Sequence, residues 1–145
     1  MMKKGLLSSL LLTLNFFSFA QESGKIHAGI YHGGIIGQVG IGTNFEKKNF
    51  GELRFSASDI VNYPFNIEGY FNRNFIQSDW YNIHAGLMLG YSFYEDIRLG
   101  LPIGMTFKPI KEHRQFGILL EAMPNYFLGN PNLRASIGIR YNFSN

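Results

Sequence analysis

The segment Ile97–Lys108, IRLGLPIGMTFK, decides the fold. Taken at every second residue, Ile97, Leu99, Leu101, Ile103, Met105 and Phe107 form one apolar face. Arg98, Gly100, Pro102, Gly104, Thr106 and Lys108 form the other. A period of 2 marks a β-strand whose faces see different surroundings, because successive Cβ atoms point to opposite sides of the pleat. Which of the two faces is inside decides what kind of protein this is.

The same period governs the neighbouring segments. In YNIHAGLMLGYSF (81–93), Tyr81, Ile83, Ala85, Leu87, Leu89, Tyr91 and Phe93 stand against Asn82, His84, Gly86, Met88, Gly90 and Ser92. In FGILLEAMPNY (116–126), Phe116, Ile118, Leu120, Ala122 and Tyr126 stand against Glu121 and Asn125. In LRASIGIRYNF (133–143), Leu133, Ala135, Ile137, Ile139, Tyr141 and Phe143 alternate with Arg134, Ser136, Gly138, Arg140 and Asn142. Weaker strands are expected over 25–32, 35–45, 52–58 and 65–75. Turn chemistry separates them: Gly33-Gly34, EKKN (46–49), SDIVNYP (58–64), IQSD (76–79), YED (94–96), PIKEHR (109–114) and GNPN (129–132). The total is about eight strands in up-and-down order with no helix after the first 20 residues. Gly33-Gly34 reads either as a two-residue hairpin turn or as a bend in one longer strand. Pro102, within a strand, and Pro124, on an apolar face, lack the N–H that a ladder needs, and both are expected at bulges or bends.

The first 20 residues stand apart. Lys3 and Lys4 precede an apolar run, Gly5–Phe17, and Ser18-Phe19-Ala20 has the small-residue character of an export cleavage site. The run is shorter than the roughly 20 residues of a spanning helix. The reading is a signal peptide over 1–20, cleaved after Ala20, and one domain over 21–145. Without Lys3 and Lys4 the formal charge falls from +3 to +1, 11 Lys and Arg against 10 Asp and Glu. That balance, with no basic patch interleaved with aromatics, gives no support to nucleic-acid binding. The chain has no cysteine, which excludes disulfide staples, a thiol nucleophile and a lipid-bearing N-terminal Cys.

Volume chooses the inward face. An eight-stranded barrel has an interior just wide enough to be filled by side chains, whereas the apolar faces together carry on the order of forty mostly bulky residues. They do not fit inside. The opposite face is rich in glycine (Gly29, Gly40, Gly42, Gly86, Gly90, Gly100, Gly104 and Gly138), which suits a cramped lumen. The apolar face therefore points outward, the inverse of a soluble lipocalin-like barrel. The best strands have the length of about 9–11 residues that a tilted bilayer crossing needs. Aromatics near strand ends are expected to form interfacial girdles: Phe45, Tyr63, Phe65, Phe75, Trp80, Tyr81, Tyr91, Phe93, Phe107, Phe116, Tyr126, Tyr141 and Phe143. The fold class is all-β, an up-and-down antiparallel transmembrane barrel.

LGLPIGMTFKP, FGILLEAMPNYF and RASIGIRYNF resemble segments of small outer-membrane β-barrel proteins of Gram-negative bacteria, in a largely uncharacterised group with the smallest barrel size. The resemblance implies an outer-membrane location. It also implies contact with outer-membrane lipid, and recognition of the precursor by the barrel-assembly machinery through a terminal aromatic strand. Phe143 matches that aromatic, with Ile137, Ile139 and Tyr141 alternating before it; Ser144 and Asn145 follow it, a departure from the pattern.

The inward face is expected to carry Arg54, Glu68, His84, Arg98, Glu121, Arg134 and Arg140 as a structural polar network. Hairpins centred after Tyr63 and at Asn130 would set Arg54 opposite Glu68 and Glu121 near Arg140. No catalytic, cofactor or metal residue is assigned. The His-x-Ser pattern of lipid A deacylases, which are also small barrels, is missing: Gly29, Gly34, Gly86 and Gln115 stand two residues after His27, His32, His84 and His113. The histidines show no metal-ligand spacing. The longest basic turn, KPIKEHR (108–114), reads as solvated and on the periplasmic side. The leading expectation is a non-enzymatic, monomeric barrel with a structural or envelope-integrity role. A lipid-modifying enzyme and a soluble ligand-binding barrel are the alternatives.

Overall fold

The computed structural model describes residues 26–34, 36–57, 66–92, 97–127 and 129–143. The expected signal peptide, the aromatics Tyr63, Phe65 and Phe93, and the turns 58–64 and 94–96 lie outside the described residues. Nine strand segments follow in order: β1 Ile26–Gly33, β2 Ile36–Thr43, β3 Asn49–Ala57, β4 Asn66–Gln77, β5 Tyr81–Ser92, β6 Ile97–Gly100, β7 Ile103–Phe107, β8 Phe116–Phe127 and β9 Asn130–Phe143. Segments β6 and β7 lie end to end between β5 and β8, so the barrel has eight strands. Every pairing is antiparallel, and β9 returns to β1 from Ile26↔Phe143 to His32↔Ile137. Closure leaves no sheet edge, which hydrocarbon requires because it offers backbone groups no partner.

Side chains point as the volume argument requires. Ile30 (69 % exposed), Leu133 (68 %) and Phe75 (67 %) stand on the outer wall, while Arg54 and Arg140 are completely buried inside. Along β5, Asn82, His84, Met88, Gly90 and Ser92 are buried and Leu87, Leu89 and Tyr91 are exposed. Among the described residues the clustered apolar core is small: Tyr70, Met88 and Met123 meet inside the barrel.

Three local expectations are settled or corrected. Gly33 pairs with Ile36 and Gly34 has φ +71°, so the Gly33-Gly34 region is a hairpin and not a bend. Pro102 and Pro124 are not at bulges. Met88↔Gly100 and Ala85↔Ile103 keep one register across Pro102, and Ala122↔Ala135 and Asn125↔Asn132 keep one across Pro124. The prolines break hydrogen bonds without slipping the strands: Pro102 O accepts from Gly86 N and Pro124 O from Leu101 N, but neither proline can donate back. That loss divides β6 from β7. The register shift lies instead in β4, between Asn74↔His84 and Ile76↔Ile83, where Phe75 is the extra residue. Finally, Phe45 is not in a girdle; it is 1 % exposed and turned into the barrel.

The inward glycines make room for specific neighbours. A Cβ on Gly29, Gly40 or Gly138 would run into the Tyr31 ring, and one on Gly138 would also lie 2.6 Å from Ile30 O. One on Gly100 would meet Met123 and Met88. Outward Gly37 has nothing within 4 Å of that position. Gly138→Val should therefore prise the β9–β1 seam, at a cost of about 1–3 kcal/mol, and sharply reduce the folded, heat-modifiable band on gels. Gly37→Val should fold like the parent; equal folding of the two variants would contradict this packing.

Candidate functional site: the polar lumen

The inward face collects its polar side chains into three tiers along the barrel axis. At the end where both described termini lie, the turn between β2 and β3 folds into the opening. Asn74 Nδ2 donates to Phe45 O at 2.9 Å and to Lys47 O at 2.7 Å, which holds the turn inward. Phe45 then meets the edge of His27, with ring centroids 5.6 Å apart. Lys108 is buried and not a solvated member of its turn: Nζ donates to Glu46 Oε2 at 2.9 Å, Ser78 O at 2.6 Å and Asn82 Oδ1 at 3.3 Å.

The middle tier is the densest. Glu52 and Arg54, two apart on β3, share a face and so both point inward. Arg54 donates from Nη1 and Nη2 to the two oxygens of Glu121 on β8, at 2.7 and 3.0 Å, and from Nη2 to Glu52 at 3.2 Å. Its guanidinium lies between the rings of Tyr31 and Tyr70, 4.1 and 4.0 Å from their centroids. Arg140 on β9 donates to Glu52 Oε2 at 2.7 Å, to Tyr31 Oη at 3.1 Å and to Thr106 Oγ1 at 3.3 Å. The Tyr31 hydroxyl in turn donates to Glu52. Two arginines thus face two carboxylates, each arginine in contact with Glu52. Beside them Phe50 packs edge-on against His84 at 5.3 Å and His27 at 6.4 Å.

The third tier centres on Glu68. Arg134 donates to both its oxygens, at 2.8 and 2.7 Å, Arg98 lies at 3.4 Å, Gln38 Nε2 donates at 2.9 Å and Tyr70 Oη at 2.7 Å. Each of the eight barrel strands supplies at least one side chain to the three tiers. Bidentate Arg–carboxylate geometry recurs in two of them, which is the strong form of such a pair.

All seven residues assigned to the lumen from the sequence lie on the inner face, and Arg54 stands opposite Glu68 as expected, but one expected neighbour differs. Arg54 and Glu68 are register partners, yet Arg54 reaches Glu121 and Glu52 while Glu68 is taken by Arg134. Glu121 is not beside Arg140. The β8–β9 hairpin pairs Phe127 with Asn130, which sets Glu121 opposite Ser136 and Gly117 opposite Arg140. Sequence reasoning missed Glu52 because β3 was begun there, three residues after its start at Asn49; its parity with Arg54 was the available signal. It also missed Tyr31, Tyr70 and Phe50, to which it gave no direction, because an uncharged ring does not by itself mark a polar lumen. Ile137, Ile139, Tyr141 and Phe143, expected from the resemblance to form an assembly signal, are all exposed on the outer wall, with the Tyr141 and Phe143 rings 5.2 Å apart.

His84 Nε2 lies 4.0 Å from Glu121 and His27 Nε2 3.5 Å from Glu52. Among the described residues no hydroxyl is hydrogen-bonded to either ring. Nor do three His, Asp or Glu side chains, among those residues, converge as a metal site would need.

No protein-family profile matches the chain, and no curated protein does. Solved structures do. A de novo designed transmembrane β-barrel aligns with a TM-score of 0.62 at 13 % identity, over 83 % of this chain and 96 % of that one. The N-terminal β-barrel domain of Pseudomonas aeruginosa OprF aligns with a TM-score of 0.57 at 14 % identity, over 82 % and 96 %. Neisserial surface protein A aligns with 0.53 at 12 % identity, over 82 % and 94 %. The fold is that of an eight-stranded outer-membrane β-barrel. At these identities the likeness is one of fold alone, and the lumen of this barrel must be read from its own residues.

Within that barrel Glu52 is the hub. Glu52→Gln would leave Arg140 and part of Arg54 uncompensated, and removing one partner of a buried ion pair costs about 3–5 kcal/mol. Urea unfolding in detergent micelles or lipid vesicles should give a clearly lowered midpoint for Glu52→Gln. The double variant Glu52→Gln/Arg140→Met should recover part of the loss. An unchanged midpoint in the single variant would remove Glu52 from the centre of the network.

Proposed function

We propose that this protein is a monomeric, non-enzymatic outer-membrane barrel with a structural role in the envelope, exported by its N-terminal signal and inserted with both termini on the periplasmic side. The observation that carries the reading is the lumen: ion pairs, polar side chains and buried aromatics fill it, with every strand contributing at least one polar side chain, while the outer wall is apolar. An eight-stranded barrel filled in this way offers no porin-like water path. Among the described residues it offers no hydroxyl hydrogen-bonded to a histidine ring either. A wall of this kind serves by being in the membrane, in contact with lipid along its whole height. Recognition by the barrel-assembly machinery would read the outward stripe Ile137, Ile139, Tyr141 and Phe143 on the terminal strand.

Two measurements test this. The protein should fractionate with outer membranes, migrate differently on gels before and after boiling, and leave planar bilayers at baseline conductance; recovery from the periplasm without detergent, or discrete conductance steps, would overturn the reading. Phe143→Ala should lower membrane-inserted protein several-fold in cells without lowering the stability of barrels folded in vitro. Normal insertion of that variant would exclude the terminal aromatic as the assembly signal.

A further inference from the structure

Leu101 and Pro102, the two residues between β6 and β7, are tied to each neighbouring strand by one backbone bond. Gly86 N donates to Pro102 O at 2.9 Å, and Leu101 N donates to Pro124 O at 3.0 Å. In an antiparallel ladder a bonded pair of this kind exchanges two bonds. The return bonds, to Gly86 O and Leu101 O, cannot form, because Pro102 and Pro124 have no N–H. Both losses fall on the same dipeptide. Parting the wall here breaks two bonds where an ordinary pair of residues would lose four. The closed state is also weakened, since hydrocarbon offers the two carbonyls no other donor.

Behind this junction the lumen is apolar. A Cβ on Gly100, the residue before Leu101, would lie 2.8 Å from Met123 Sδ and 3.0 Å from Met88 Cε. These methionines form the apolar cluster with Tyr70, and Pro102 is itself buried on the inner face. The three tiers of ion pairs and amides lie around that cluster, so the ladder is thinnest where the filling is least polar. In front of the junction, Leu99, Leu101 and Ile103 are 57, 53 and 56 % exposed on the lipid side. Lipid, a thinned ladder and an apolar interior therefore stand one behind the other. Methionine is unbranched and re-packs readily, so Met88 and Met123 can give way to another apolar group.

We propose that Leu101-Pro102 is a lateral entry through which one acyl chain of a membrane lipid passes the wall and packs against Met88 and Met123. The flanking pairs Leu99↔Tyr126 and Ile103↔Ala122 stay joined, so the register is kept and the gap is narrow. A gap of that width admits a linear hydrocarbon chain and excludes a ring system or a headgroup. The lipid belongs to the leaflet away from the termini, because Pro124 lies near the Phe127 end of β8. This rests on the membrane-spanning reading above and adds a bound chain to it.

Photolabelling in lipid vesicles tests the entry, with a phosphatidylcholine that carries a diazirine in one acyl chain and with peptide mapping by mass spectrometry. In the parent protein, label should reach Met88 and Met123 as well as the outward Leu99 and Leu101. Leu119, buried inside the barrel nearer the termini, should stay unlabelled. Pro102→Ala/Pro124→Ala supplies the two missing donors and should lower the methionine label several-fold while leaving that on Leu99. Label confined to outward residues in the parent, label on Leu119 equal to that on the methionines, or equal methionine label in the double variant would overturn the proposal. Heat-modifiable migration confirms that each protein is folded. Should the double variant fail to fold, the contrast between the methionines and Leu119 in the parent decides the question alone. A protein that needed no detergent would instead defeat the membrane reading itself.

Discussion

The guanidinium of Arg54, held between two tyrosine rings and bonded across the barrel to Glu121, sets the terms for the rest of the structure. A charge in so narrow a lumen must be fully paired, because burying an unpaired one costs several kcal/mol. Pairing it from β3 to β8 requires the tyrosines to lie flat beside it. Flat tyrosines require neighbouring strands to present no side chain, and Gly29, Gly40 and Gly138 meet that need around Tyr31. Once polar groups and tyrosines occupy the interior, the large aliphatic residues have only the outside left. The apolar wall is as much a consequence of the packed lumen as of the membrane.

The two ends of the barrel are built differently. At the termini end the lumen is shut by a short turn tied down at backbone atoms, with Phe45 as the stopper and Lys108–Glu46 as the clasp. Toward the other end the filling is Glu68 with its arginines, beside the Tyr70, Met88 and Met123 contact. The first is a turn whose own carbonyls are held by the Asn74 side chain on β4. The second hangs on side chains alone. The wall itself tolerates local damage, since the two prolines remove donors near Leu101 yet the register is continuous past them. In a closed ladder the neighbours on both sides fix the register, so one missing bond cannot release it.

The barrel was legible from alternation because the environment is two-valued: a residue faces either lipid or lumen, and period 2 separates them. Arg54, Glu68, His84, Arg98, Glu121, Arg134 and Arg140 and the inward glycines followed directly, though Glu52 and the buried Lys108 did not. What alternation could not supply was distance. Arg54 and Glu68 sit opposite each other on neighbouring strands, but long side chains reach across a lumen as easily as sideways, and Arg54 finds Glu121 there. The β8–β9 register was displaced because the hairpin closes between Phe127 and Asn130, so that Glu121 faces Ser136. Aromatic residues were ambiguous for a chemical reason. Tyr31 and Tyr70 have a ring that stacks on guanidinium and a hydroxyl that bonds carboxylate, so a polar lumen accepts them as readily as a headgroup region does. Phe45, expected at the end of a strand over 35–45, lies past the end of β2 at Thr43, on a turn where strand periodicity no longer sets direction.

The wall is of uneven height, and this bears on how the barrel sits in a bilayer. Strands β1 and β2 have 8 residues each and end at the Gly33↔Ile36 pair, whereas β8 has 12 and β9 has 14. With a rise of about 3.3 Å per residue and a tilt of about 45°, eight residues cover about 19 Å and twelve about 28 Å. The apolar band of such barrels is about 25 Å tall. The β1–β2 hairpin therefore falls short of it on the side away from the termini, and its last outward residues are polar or small: His32 and Gly37, both exposed. Leu133 on β9, 68 % exposed, continues the apolar wall above the point where β1 stops. Lipid must thin beside the hairpin, or the barrel must tilt toward it, and either response costs only fractions of a kcal/mol per Å of mismatch. A barrel with one low side is oriented about its own axis as well as across the membrane, which gives its lipid neighbours fixed positions around the wall.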